Sequence, residues 1–112
     1  IKAGKLKALA VTSGQRSSAV PELPTLEEAA GLKGYEASSW FGLLAPAGTP
    51  MDIVNRIQQE VTKSLATPAI KEKMQAQGAI PSGITSAQFA TLIEAEHKKW
   101  AEVVKASGAK VD

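Results

Sequence analysis

The sequence predicts an α/β fold in which two or three short strands occupy the first half and the second half is mainly helical. Three features carry that expectation. An unbroken apolar run spans residues 6–12, LKALAVT; a second, at residues 38–46, breaks into the Pro-Gly turn of SSWFGLLAPAGTP; and beyond it apolar residues recur with helical period almost to the C-terminus.

The 112 residues correspond to one domain, and an apolar share of 44% is ordinary for a globular chain. No stretch approaches the ~20 consecutive apolar residues needed to cross a membrane. Thirteen basic and eleven acidic side chains, net +2, are interleaved along the chain instead of forming one stripe, so a nucleic-acid partner is not expected. The absence of cysteine excludes disulfides, thiolate metal sites and cysteine nucleophiles. The chain begins at Ile1 without a signal-peptide pattern, which reads as a fragment or a processed form.

Taken in order, residues 6–12 suit a strand covered on both faces and paired in a parallel sheet, punctuated by Gly4 and Gly14. Gly14 to Pro24 reads as a loop, because Pro21 and Pro24 remove backbone donors and push their predecessors toward extended conformations. Thr25 and Glu28 have capping-box spacing and open a short helix that Gly31 closes. Tyr35, Trp40, Phe41, Leu43 and Leu44 mark the central strand, which Pro46 ends. Thr49 is expected to cap the next helix with Pro50 at its first position. Its apolar stripe is Ile53, Val54, Ile57, Val61 and Leu65, opposite Asn55, Gln58, Gln59 and Lys63. Thr67-Pro68 starts a shorter helix that closes at Gly78, and residues 80–84, IPSGI, connect it to the longest helix. Thr85 and Gln88 form a second capping box there, and the helix runs to about Ser107 before Gly108. Trp40 and Trp100 are expected to be core anchors.

Catalytic chemistry finds no support. His97 is the only histidine, and with Glu94 it would supply two metal ligands where a site wants three or four. Glu27 and Glu28 point about 100° apart on a helix, and Glu28 has a capping role. No serine lies in a nucleophile elbow, and no glycine cluster fits a phosphate loop. Neither a catalytic residue, a metal site nor a cofactor is therefore expected. Thr12-Ser13-Gly14 has more promise, standing at the carboxyl end of the first expected strand where ligands of open α/β sheets bind. Its hydroxyls and backbone amides suit a small anion; the slightly favoured alternative is that these residues simply turn the chain.

The string GKLKALAVTS, a loop with Arg16 and VPELPTLEEAAG, Tyr35, Trp40-Phe41-Gly42-Leu43, APAGTP, a long helix, Gly78 and the ending FATLIEAEHKKWAEVVKASG follow one another in a distinctive order. That order resembles the extracytoplasmic solute receptors of the tripartite tricarboxylate transporter family, the Bug receptors, in their C-terminal portion. The resemblance implies a type 2 periplasmic-binding-protein, or flytrap, fold with two α/β domains around a cleft. It implies that residues 1–37 end the second receptor domain, and that residues 38–112 cross the hinge and return to the first. It further implies a periplasmic location, a small carboxylate as ligand, membrane transporter subunits as partners, and no enzymatic activity.

Thr12 and Ser13 are the residues the resemblance brings nearest to the cleft, and they are the candidate ligand-binding residues. The family's main carboxylate-gripping loops have no counterpart in these residues, so the chain by itself is expected not to bind. Its apolar strand faces, lacking their partners, are expected to drive self-association. The alternative from another class is a free-standing helical interaction or oligomerisation module.

Overall fold

The computed structural model describes Ile1 and residues 3–110. Four helices follow in order: α1 (Leu26–Ala30), α2 (Met51–Leu65), α3 (Pro68–Ala76) and α4 (Ser86–Ser107). The chain divides into two compact units, one of Ile1–Leu44 with Pro68–Pro81 and one of Ala45–Thr67 with Ser82–Asp112.

In the first unit, α1 is hardly more than one turn and owes its existence to its ends. Thr25 Oγ1 accepts from the Glu28 amide at 3.2 Å while Glu28 Oε2 accepts from the Thr25 amide at 2.9 Å, completing the expected capping box. Gly31 takes φ of 67° at the other end and returns its N–H to the Glu27 carbonyl. Thr25 is the buried residue of this unit, at 5% exposure.

The backbone around Val11 is the hub of the unit. Val11 donates to the Pro24 carbonyl at 2.9 Å and accepts from the Leu26 amide at 3.0 Å, while the Thr12 carbonyl accepts from Ala37 at 2.9 Å. The first two bonds make a parallel bridge between Val11 and Thr25, the sole β pairing among the described residues. The parallel character expected of residues 6–12 is present there, but neither this segment nor residues 38–46 forms a laddered strand. A strand is defined by its neighbour, and only single positions of these segments meet one.

The second unit is built on α2 packed against α4. Helix α4 has the second expected capping box, with the Gln88 amide donating to Thr85 Oγ1 at 3.2 Å and the Thr85 amide donating to Gln88 Oε1 at 2.9 Å. Gly108, at φ of 66°, ends it.

Helix α2 begins one residue later than expected. Pro50 is its N-cap, and the Thr49 hydroxyl donates to the Pro46 carbonyl at 2.8 Å instead of capping. Thr67 repeats this before Pro68, donating to the Ser64 carbonyl at 2.7 Å. In both Thr-Pro pairs the hydroxyl closes the preceding turn; Pro50 then stands as the N-cap of α2, whereas Pro68 opens α3 without needing a donor.

The covered face of α2 is also rotated from the expected stripe. Val54, Gln58, Val61, Thr62 and Leu65 are half-buried, whereas Ile53 and Ile57 are exposed. Gln58, assigned to the solvent side from its polarity, is turned inward by hydrogen bonding. Its Nε2 donates to the carbonyls of Gly83 at 3.1 Å and Ile84 at 3.2 Å.

Among the described residues no apolar side chain is buried. Trp40 and Trp100, expected in a core, are 43% and 41% exposed. Neither finds enough apolar cover, and Trp100 instead donates its indole N–H to Glu96 Oε2 at 2.7 Å with the Lys99 ammonium over its ring. His97 is exposed on α4.

Candidate ligand-binding site

Thr12, Ser13 and Gly14 directly follow the Val11–Thr25 bridge, at the carboxyl end of the one paired position. Thr12 is exposed and Ser13 half-buried. The Ser13 hydroxyl donates to the Gln15 carbonyl at 2.7 Å, which tightens the turn and aligns the following loop. The Thr12 carbonyl is taken by Ala37, so what Thr12 offers outward is its hydroxyl.

Residues 36–38 form the other wall. The Ala37–Thr12 hydrogen bond draws Glu36 alongside Gly14, where its carboxylate oxygen would lie 3.1 Å from any Cβ added to that glycine. Ser38 donates to the same carboxylate at 3.4 Å. Sequence reasoning overlooked Glu36, because nothing local signals that residue 37 hydrogen-bonds residue 12.

Arg16 is the nearest cation in sequence to this turn, and it is engaged elsewhere. Its Nε donates to Glu28 Oε2 at 2.9 Å and its Nη1 to the Pro21 carbonyl at 3.4 Å. Glu28 Oε2 thus accepts from both the Thr25 amide and Arg16. The backbone hydrogen bond from Thr25, joined by the one from Arg16 and its charge, holds the Glu28 carboxyl below its ordinary value of 4.5. The arrangement binds loop 14–24 to the start of α1, so Arg16 positions the loop behind the Thr12–Gly14 turn.

The second unit carries an open depression of about 400 Å³ lined by Arg56, Ile57, Glu60, Val61, Ser64 and Leu65. All six come from α2, so it is an open stretch along the flank of one helix. Among the described residues no three potential metal-ligating side chains gather.

Comparison with known proteins assigns this geometry to a class. The chain superposes on the solved R. palustris Rpa4515, determined with adipate, with a TM-score of 0.76 at 37% identity, over 96% of this chain and 36% of that one. It matches the periplasmic binding protein BugD with a TM-score of 0.75 at 35% identity, over 98% of this chain and 37% of that one. Its fold is therefore that of about one third of a periplasmic binding protein, an α/β class in which this third is mostly helical.

Residues 1–109 match the model of the tripartite tricarboxylate transporter family receptor, and the chain belongs to that family. Curated relatives include BugT of Bordetella pertussis, 38% identical over 99% of this chain and 34% of its own length. Another is the UPF0065 protein in the tcbD-tcbE intergenic region of Pseudomonas sp. strain P51, 38% identical over 93% of this chain and 31% of its own length. The chain spans about a third of these relatives.

Proposed function

We propose that these residues supply part of an extracytoplasmic receptor that captures a small carboxylate between two lobes and presents it to the membrane subunits of a tripartite transporter. The reaction is binding and release, with no bond made or broken in the ligand. In this reading residues 1–37 complete the second lobe and residues 38–112 return to the first. Thr12 and Ser13 contribute hydroxyls at the cleft margin, and the receptor works in the periplasm. The observation that carries it is the family match over residues 1–109, supported by the adipate in the R. palustris relative.

The chain alone is a poor carboxylate trap. Arg16, the nearest cation in sequence to Thr12 and Ser13, is committed to Glu28 and does not serve their turn. Calorimetric titration tests both halves of the proposal, using the chain alone and a chimera in which it replaces the matching third of R. palustris Rpa4515. The chimera should bind adipate or another member of a dicarboxylate panel saturably and return it unchanged, while the chain alone gives no heat of binding. A folded chimera that ignores the whole panel, or that consumes a ligand, refutes the reading.

A second reading, an assembly module acting by itself, draws on the exposure of Leu6, Leu9, Phe41, Leu43 and Leu44. Light scattering tests this second reading: a stable monomer at high concentration removes it.

A further inference from the structure

Glu28 is a carboxylate where a helix cap asks only for an acceptor. The capping box at Thr85 is closed by an uncharged amide: Gln88 Oε1 accepts from the Thr85 amide at 2.9 Å, the same distance that Glu28 Oε2 keeps to the Thr25 amide. The charge at position 28 is therefore surplus to the bonding pattern of the cap. Arg16 uses that surplus, its Nε lying 2.9 Å from the same Oε2.

These bonds close a ring around the turn of residues 12–15. The chain enters the turn from Val11, whose backbone is tied to the Pro24 carbonyl at 2.9 Å and to the Leu26 amide at 3.0 Å, on either side of Thr25. It leaves the turn at Arg16, which is tied to Glu28. Glu28 Oε2 also holds the Thr25 amide, so entrance and exit are fixed to one stretch, residues 24–28, the first by backbone and the second by the ion pair. Within the ring the Ser13 hydroxyl donates to the Gln15 carbonyl at 2.7 Å. Opened at Arg16, the turn is tethered at its entrance, and residues 13–15 regain backbone freedom that a ligand would have to remove. The pair is about half exposed, at 49% and 47%, and such pairs add little to overall stability, so its effect is local.

We infer that Arg16, acting through Glu28, is a positioning residue for the ligand-binding turn: the ion pair holds the Thr12 and Ser13 hydroxyls in the arrangement that meets a carboxylate. The inference rests on the receptor reading, from which it takes the carboxylate and the two hydroxyls, and adds the pair that preorganises them. Preorganisation raises affinity by lowering the ordering cost of binding. Arg16 itself does not touch the ligand.

A double-mutant cycle in the Rpa4515 chimera tests this, read by calorimetric titration with adipate. Glu28→Gln removes the charge and keeps the cap, as Gln88 does on α4. Arg16→Met removes the cation and keeps the apolar stem. Each single variant should weaken binding about threefold, the scale of an exposed ion pair, and the double variant should weaken it no more than either alone. Amide order parameters at Ser13 and Gln15 should fall in all three, while exchange at the residue 28 amide, which donates to the Thr25 hydroxyl at 3.2 Å, stays at the parent rate. Parent-like affinity in both single variants overturns the inference. So do losses that multiply in the double variant, because Arg16 then meets the ligand directly, and so does a loss matched by opening at the residue 28 amide, which is damage to the helix start. The receptor reading fails separately: a parent chimera that binds no dicarboxylate sinks it, while loosened Ser13 and Gln15 amides in the free-chain variants still support the ring.

Discussion

Gln58 on α2 reaches the Gly83 carbonyl at 3.1 Å, joining residues 25 positions apart in the sequence. Thr62, one turn further along α2, donates to the same carbonyl at 3.0 Å and accepts from Gln58 at 2.9 Å. The three groups staple the connection before α4 onto the covered face of α2. Gly83 is required there twice over: its φ is 63°, and an added Cβ would meet Thr62 Oγ1 at 3.1 Å.

Gly83→Ala should therefore loosen the start of α4. A left-handed alanine costs about 1–2 kcal/mol, and roughly 1.4 kcal/mol corresponds to a tenfold change in an opening equilibrium. Amide exchange at Ile84 should accelerate by about that factor. Gln58→Ala should cost about 1 kcal/mol, the ordinary worth of a hydrogen bond. Gln58→Glu should cost more at neutral pH, because it sets a charged acceptor against two carbonyls. Equal exchange in all three variants and the parent would show that the staple contributes nothing.

The Glu28 carboxyl gives a pH dependence with a definite sign. Its value in the folded chain lies below 4.5, so the unfolded form takes up a proton first as the pH falls. The stabilisation is complete above the unfolded value and is lost as the pH drops through the folded one. The Thr25 amide signal and the order of α1 should follow that window. Glu28→Gln should abolish the dependence, and Arg16→Met should move the midpoint toward 4.5. A Glu28 side-chain titration centred at the ordinary value in the parent would contradict the geometry.

Removing the hydroxyl cap of α4 in Thr85→Ala should weaken its first turn by about 1 kcal/mol, while Thr85→Ser should leave it nearly intact. Exchange at the Gln88 amide, which donates to that hydroxyl at 3.2 Å, measures the difference directly. An alanine variant indistinguishable from the serine one would place the stability of this turn elsewhere.

Within the Rpa4515 chimera, Thr12→Val and Ser13→Ala should each weaken dicarboxylate binding by about 1 kcal/mol, or roughly fivefold. Titration of each variant with adipate measures the loss, and unchanged affinity in both would remove these hydroxyls from the site.

The features legible in the sequence are those decided within a few residues. The capping boxes at Thr25 and Thr85, and the left-handed glycines 31, 78 and 108, depend on spacing and on a missing Cβ, and each is present where expected. Thr49 and Thr67 look like caps for the same reason, yet their hydroxyls turn back to carbonyls three residues earlier, a choice that residue type does not encode. What escaped reading depends on distant partners. Residues 6–12 and 38–46 have strand composition, but a ladder needs a neighbour along its whole length. Gln58 looks solvated until the carbonyls of Gly83 and Ile84 are brought to it. Thr12 and Ser13 could be named from their place after an apolar run, whereas Glu36 joins them only through a hydrogen bond between residues 37 and 12.

Thr25 is the buried residue, and no apolar side chain joins it among those described. The usual source of all-or-none melting, a shared apolar interior that every element loses at once, is thus missing. Heating or urea should melt these helices as separate events, α1 and α4 each at a midpoint set by its own cap. The accompanying heat-capacity change should be small, because little oily surface remains to be newly wetted.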